Sequence, residues 1–549
     1  MSEIESLDDV LESAWQFESG RHLLPYDVFK WWGRRPTLLI HGLLLDAFNI
    51  NSSEASKYVS TRFRYKPLEL LKGFTVCDPM CGGGTTCIEA TFLKADQVIC
   101  SDIDPISVLI VRATLKLLGE KCGKNADLLR DALALVTNEL KNLWCMGDYC
   151  YIHTFLTREC TDEYCIVPKW LGIKRVKRKL IKLAITEECS VMEAPEVDFY
   201  EKIMIPREKL VRVANGVYAY ATELYRVQRD GSVERTFVSL CENSKIAEHL
   251  VRAQQESKRI LGDTCTPIPE HKETKRLKKN GVFCWEQLFT LRQLLTLKRF
   301  IEVVQRLDSQ ALDVAVALTG TAMRTLSLLA FYYQPYGKVN PGLVIKSYWL
   351  PKYPVELNPL AGDLQRLKTI GRGTLVTYVR KVYKTCNLFK ECSLDVSSVV
   401  VVRRDAFEAE YRDCDIVILD PPYPAKVDYE AMASIYSFAH DLAHRGSEGR
   451  NDKSVKQGLN VHDLNVYTQQ ISGLIEKIVL ELKRGGKIYL LLSSDRQAEK
   501  VLKAIIKRLE TMGLNIRVER KGPYIGEAPG KLGRSRNRNI LVLKIIKEA

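Results

Sequence analysis

The stretch Asp415-Ile-Val-Ile-Leu-Asp420-Pro421-Pro422-Tyr423 constrains this chain more tightly than any other. Four apolar residues between two carboxylates have the length of a short buried strand, and two consecutive prolines stop the ladder there. The strand thus presents a carboxylate, a prolyl carbonyl and an aromatic ring at its C-terminal edge, where open α/β sheets hold their sites. The Asp420 carboxylate can accept one hydrogen of an exocyclic NH2 and the Pro421 carbonyl the other. The Tyr423 ring offers a face to a planar base. Asp420, Pro421, Pro422 and Tyr423 are therefore the candidate catalytic group. A plain turn after a strand is the competing reading of Pro-Pro.

A second stretch, Phe74-Thr-Val-Cys-Asp78-Pro79-Met-Cys81-Gly82-Gly83-Gly84-Thr85-Thr86, runs from strand through carboxylate and glycine turn into a helix. Glycines let backbone approach a ligand, and helix-start N–H groups face it. The spacing is neither Gly-x-Gly-x-x-Gly nor a phosphate loop with its lysine, which argues against dinucleotides and ATP. Some twenty residues on, Gln97 to Asp102 reads as a second strand ending in acid. Asp102 is the first choice for binding ribose hydroxyls and Asp104 the alternative, and either could instead cap the helix that follows. Asp405, after the strand Val399 to Val402, can accept from an adenine amine while Phe407 borders the ring, or it too can act as a cap.

At these residues the chain resembles the amino-methyltransferases, which carry an Asp-Pro-Pro-Tyr-like signature and an Asp-Pro-x-x-Gly-x-Gly-Thr-Thr cofactor motif. Trp31-Trp32-Gly33-Arg34-Arg35-Pro36, ahead of the glycines, and Trp285-Glu-Gln-Leu-Phe-Thr-Leu-Arg resemble a prokaryotic family of adenine-specific DNA methylases often bearing a zinc ribbon. The resemblance implies S-adenosylmethionine as cofactor, held by Asp78, Pro79, Cys81, Gly82, Gly84, Thr85, Asp102 or Asp104, Asp405 and Phe407. It also implies methyl transfer to an exocyclic amine of a flipped base. Asp at 420 favours adenine N6 over cytosine N4 by family habit. An RNA amino-methyltransferase and a non-catalytic binding protein are the alternatives. A restriction or defence subunit is a possible partner. Arg34 and Arg35 are candidates for substrate or cofactor contact.

The expected fold is an α/β, Rossmann-like class I methyltransferase sheet carried by residues 1–118 and 397–549. A large mixed α+β, mainly helical insertion, 119–396, lies between them as a target-recognition domain. Within it, Val217 to Val227 and Arg235 to Leu240 read as strands joined by a turn, and helices are expected from Trp285 to Leu307 and from Ala311 to Tyr333. A last strand pair is expected near Asn515 to Glu519 and Ile540 to Ile545. The cationic connection between them, with Lys531, Arg534 and Arg536, reads as a flexible loop for nucleic acid.

With 81 Lys and Arg against 67 Asp and Glu, the net charge of +14 favours a polyanionic partner. Basic runs at Lys174 to Lys182 and Lys272 to Lys279 are candidate phosphate contacts. The acidic start lacks an apolar leader and no apolar run reaches membrane-spanning length, so a cytoplasmic protein is expected. Sixteen dispersed cysteines read mostly as small buried hydrophobes. Cys145, Cys150, Cys160 and Cys165 lack the C-x2-C knuckles of a zinc ribbon, so no metal is assigned, and pairing as disulfides stays open.

Overall fold

The computed structural model describes residues 24–31, 34–48, 54, 57–58, 61–62, 65–176, 179–344, 347–390, 394–423, 429–444, 459–493, 495–529 and 535–548. These residues form two compact units. One comprises Met1–Gly123, Lys384–Tyr429 and Arg450–Ala549, the other Lys124–Tyr383 and Glu430–Gly449. The helix Tyr429–His444, placed by sequence with the C-terminal part of the first unit, falls almost entirely in the second. Its sequence neighbours cannot reveal this, because its buried partners are remote: the Tyr436 hydroxyl lies 2.8 Å from that of Thr321, and the Tyr348 hydroxyl donates to the Ala431 carbonyl at 2.8 Å.

The first unit is built on strands β1 (Thr75–Asp78), β2 (Gln97–Asp102), β3 (Val399–Arg403), β4 (Ile416–Leu419), β5 (Lys487–Ser493), β6 (Ile516–Pro529) and β7 (Ser535–Lys547). Their order across the sheet is β3-β2-β1-β4-β5-β7-β6. The strands from β3 to β5 are parallel to one another, and β7 runs antiparallel to both its neighbours. Side chains alternate between faces along a strand, and two apolar layers follow from it. Ile416, Ile418, Tyr489, Leu491, Ile540 and Val542 join one core with helices α1 (Thr37–Asp46), α2 (Thr85–Phe92) and α3 (Pro105–Leu115). Val417, Leu419, Ile488, Leu490, Leu541 and Leu543 join the opposite core with α4 (Leu464–Glu481) and α5 (Arg496–Thr511). Each such side chain contributes roughly 1.5–3 kcal/mol by leaving water, which holds helices on both faces.

The helix starts carry their own signals. Asp104 caps α3 by accepting from the Ile106 N–H at 2.8 Å, with Pro105 in the first turn. Asp463 and Asp495 cap α4 and α5 in the same way. Within α2, Glu89 is fully buried and accepts from Arg62 Nε (2.7 Å), Arg62 Nη2 (2.8 Å) and the Tyr26 hydroxyl (2.6 Å).

In the second unit, strands Tyr149–Thr157, Val211–Ala214, Val217–Val227, Val233–Ser239 and Val355–Leu357 form the main part of a six-stranded sheet, so residues 145–239 are mostly strand, and the longer helices follow. The Trp285 motif turns out to be structural. Thr290 caps the helix Leu291–Leu307, and the buried Arg292 guanidinium donates to Glu356 (2.7 Å), Thr154 (2.9 Å) and the Leu143 carbonyl (3.1 Å). The helix expected through Tyr333 ends at Ala322. Phe331–Tyr333 is instead a strand paired with Lys338–Asn340, a tertiary pairing that outweighs the local helical pattern.

Among the described residues fourteen of fifteen cysteines are paired, against the expectation of mostly small buried hydrophobes: Cys77–Cys414, Cys87–Cys100, Cys122–Cys386, Cys145–Cys150, Cys160–Cys165, Cys189–Cys241 and Cys265–Cys284. Partners as far apart as 337 residues leave no trace in spacing. The strands β6 and β7 also run well beyond the expected pair, into the segment expected to be a cationic loop. A ladder is made by backbone groups and tolerates long cationic side chains. Lys531 and Arg534 lie outside the described residues. Arg536 belongs to β7, and its side chain is not among those described.

Two measurements follow from this architecture. Arg292→Met strands Glu356 in the core and is expected to cost about 3–5 kcal/mol in urea unfolding, part of which returns in the double variant Arg292→Met with Glu356→Leu. Alkylation of the chain unfolded without reductant is expected to leave these fourteen cysteines unmodified in a peptide map, and prior reduction exposes them.

Candidate active site

Register brings the strand-end acids together. Asp78 closes β1 opposite Cys100 of β2, and Val76 and Cys77 pair with Ile416 and Val417 of β4. The neighbouring strands therefore run about two residues further, and Asp102 and Asp420 rise on either side of Asp78. Asp405 follows β3 in the same way, since Asp102 pairs with Arg403. Between β1 and β4 the strand order reverses, the position at which open α/β sheets leave a crevice.

That crevice is a cleft of ≈ 1010 Å³ including its opening to solvent. Of the residues expected from sequence, Asp78, Pro79, Cys81, Gly82, Thr85, Asp102, Asp104, Asp405, Phe407, Asp420, Pro422, Arg34 and Arg35 line it. Gly84, Pro421 and Tyr423 do not. Gly84 instead takes a left-handed φ of 76° at the start of α2, where a Cβ would come within 2.7 Å of Val111. Tyr423 borders a separate small cleft with Tyr467 and Val501 while its ring meets Arg35. Trp31, Met80, Thr86, Ile103, Ala406 and Leu459 also line the main cleft and were not singled out. Trp31 packs so closely on the glycine turn that a Cβ on Gly82 would meet its Nε1 at 2.9 Å.

Each carboxylate is held in a defined way. Asp102 accepts from the Gly82 N–H through one oxygen (2.8 Å) and from the Asp104 N–H through the other (2.9 Å). Asp104 spends one oxygen on its cap. Asp405 accepts from the Phe407 N–H at 3.0 Å, and Lys477 of α4 donates to the Phe407 carbonyl at 2.8 Å, which fixes that wall. Sequence gave no hint of Lys477, whose partner lies 70 residues away. Asp78 accepts from the Met80 N–H at 3.2 Å.

Crowding these acids in an apolar-walled cleft has an electrostatic consequence. Burial, opposed by hydrogen bonds from Thr86 and Met80 and reinforced by Asp420 and Asp102, pushes the Asp78 carboxyl up to about 7. Burial raises Asp102, Asp405 and Asp420 above the ordinary carboxylate range, with Arg35 pulling Asp420 back down. Burial also raises the Cys81 thiol, which disfavours a thiolate nucleophile. A cluster of this kind suits a cationic ligand, which relieves the repulsion.

At the mouth, Arg35 Nε and Nη2 donate to Asp420 Oδ1 at 2.8 and 2.6 Å, and the Arg35 guanidinium carbon lies 4.4 Å from the centre of the Tyr423 ring. The guanidinium side chain is 11% exposed and that of Asp420 22%, so the pair is largely but not wholly removed from water.

No protein-family profile and no curated protein matches the sequence. Among solved structures, a SAM-dependent O-methyltransferase from Thermotoga maritima matches at a TM-score of 0.16 and 13% identity, over 31% of this chain and 46% of that one. The protein PH0851 matches at a TM-score of 0.17 and 14% identity, over 56% of this chain and 75% of that one. Likeness this slight bears on neither fold nor site.

The raised Asp78 gives a pH signature. An acid that binds its proton more tightly when folded supports stability fully below its unfolded value and loses that support as pH rises through about 7. The unliganded protein is expected to lose on the order of 4 kcal/mol across this window, and Asp78→Asn to remove most of that slope in urea titrations at successive pH values.

Proposed function

We propose that this chain is an S-adenosylmethionine-dependent methyltransferase acting on the exocyclic amine of a nucleic-acid base, and specifically on adenine N6 in DNA. The observation that carries the reading is one cleft lined by both motifs, the glycine turn with Asp78, Asp102 and Asp405 on one side and Asp420 with Pro422 on the other. The sheet order, with its single antiparallel strand β7, supports the Rossmann-like class I methyltransferase fold expected from sequence.

The residues fit the cofactor by chemistry. Asp102 suits the ribose hydroxyls, Asp405 the adenine amine beside Phe407, and the deep, crowded Asp78 the cationic methionine end. S-adenosylmethionine supplies a methyl group already activated on a sulfonium. Asp420 then accepts an N–H of the target amine and turns the nitrogen lone pair toward the cleft. With that group bound, Asp420 would hold the amine while it takes the methyl in place of one of its protons, which would leave to solvent. Positioning supplies much of the acceleration, and no cysteine nucleophile is required. A paired base cannot reach Asp420, so the target is flipped, with Tyr423 restoring the lost stacking. The net charge of +14 and the basic runs of the second unit suit a DNA partner, and a restriction or defence subunit fits the same reading.

Transfer of labelled methyl to duplex DNA and to total RNA, resolved by nucleoside mass spectrometry, tests the reading. N6-methyladenine in DNA is expected, and label confined to RNA would replace DNA by RNA as substrate. Asp420→Ala is expected to keep cofactor affinity in calorimetry and to lower transfer by roughly 10²-fold or more. Undiminished transfer would remove Asp420 from its role.

A further inference from the structure

The position proposed for the target amine is already filled from within the chain. Arg35 presents a planar, delocalised group that donates to Asp420 Oδ1 from 2.8 and 2.6 Å while its guanidinium carbon lies over the Tyr423 ring, 4.4 Å from the ring centre. Those are the two interactions a flipped amino-base would make there, an N–H donated to the carboxylate and a π-face stacked on the ring. Arg35 occupies Oδ1 of Asp420 and one face of the Tyr423 ring, so a base that is to use that oxygen and that face must displace the guanidinium.

We propose that Arg35 is an internal stand-in for the acceptor base and sets the specificity threshold of the site: an acceptor is admitted only if it displaces the guanidinium from Asp420 and Tyr423. The inference rests on the amino-acceptor reading of Asp420. Small or weakly held amines fail to displace Arg35, whereas a base delivered by a long nucleic acid brings binding energy from the rest of its backbone. The displaced guanidinium becomes a free cation at the mouth of the cleft, where a phosphate next to the flipped nucleotide can take it. Arg34, the other arginine of the motif, does not share this role. It lies beside the glycine turn, its Nη2 at 2.9 Å from where a Cβ on Gly83 would stand, and its guanidinium carbon is 4.8 Å from the centre of the Tyr26 ring. Two adjacent arginines thus serve opposite ends of one cleft.

The test reads binding rather than turnover. Deoxyadenosine binding to the full-length protein is followed by ligand-observed NMR with S-adenosylhomocysteine present, for the wild type, Arg35→Ala and Arg35→Gln. Vacating the subsite is expected to tighten nucleoside binding about tenfold, because the apparent affinity no longer carries the fraction of molecules in which Arg35 occupies the site. Millimolar guanidinium chloride is expected to compete with the nucleoside in Arg35→Ala and to have little effect on the wild type, a signature that a merely structural arginine would not give. A wild-type far-ultraviolet circular dichroism spectrum and cooperative urea unfolding confirm that each variant is folded. Equal or weaker nucleoside binding by folded variants overturns the stand-in and leaves the amino-acceptor reading intact. Cofactor binding with no nucleoside binding by any of the three proteins overturns both.

Discussion

The site depends on how β1 and β4 are locked together across 340 residues of chain. The Asp415 carboxylate accepts from the Thr75 N–H at 2.8 Å, and the Asp415 N–H donates to the Thr75 carbonyl at 2.9 Å. This pair starts the two strands level, and the disulfide Cys77–Cys414 ties the same neighbours. From that starting line the strand lengths decide the rest. The short β1 leaves Asp78 at the floor, and the segment after β4 carries Asp420 beyond it. A slip of one residue would turn Asp420 to the other face of the sheet.

Within the cleft, the same geometry that gathers acids makes them costly. Asp78, Asp102, Asp405 and Asp420 are each raised by burial. Stored repulsion of this kind is released by a cation, whether a ligand in the depth of the cleft or Arg35 at its mouth. The cleft therefore carries its electrostatic preference before any ligand enters. It contrasts with Glu89 of α2, which Arg62, Tyr26 and His41 surround, and where burial is outweighed so that Glu89 is held at about 2. One acid is finished structurally and the others are left open to be answered.

Much of this was legible in the chain itself. Strand-then-acid punctuation marked Asp78, Asp102, Asp405 and Asp420, with proline immediately after the first and the last, because an apolar run of alternating faces ending in a turn leaves its last polar side chain at a sheet edge. The β segment Val217–Val227 could be read to the residue for the same reason. Legibility failed where the decisive partner was remote. The strand at Phe331 looks helical until Lys338–Asn340 pairs with it, the cysteines look solitary until folding joins them, and nothing near Lys477 announces the Phe407 carbonyl. The basic segment before β7 looked like a loop because composition describes side chains, whereas the ladder that lengthens β6 and β7 is made by backbone.

What the sequence by itself determined is the chemistry of each strand end, since residue type and turn propensity act within a few positions. Only the tertiary structure decided which of those ends share a cleft, that Gly84, Pro421 and Tyr423 stand off its wall, and that Arg35 lies across Asp420. Arg35 and Asp420 are 385 residues apart, and contact between them follows from strand order and register, which are properties of the assembled sheet and of no local stretch.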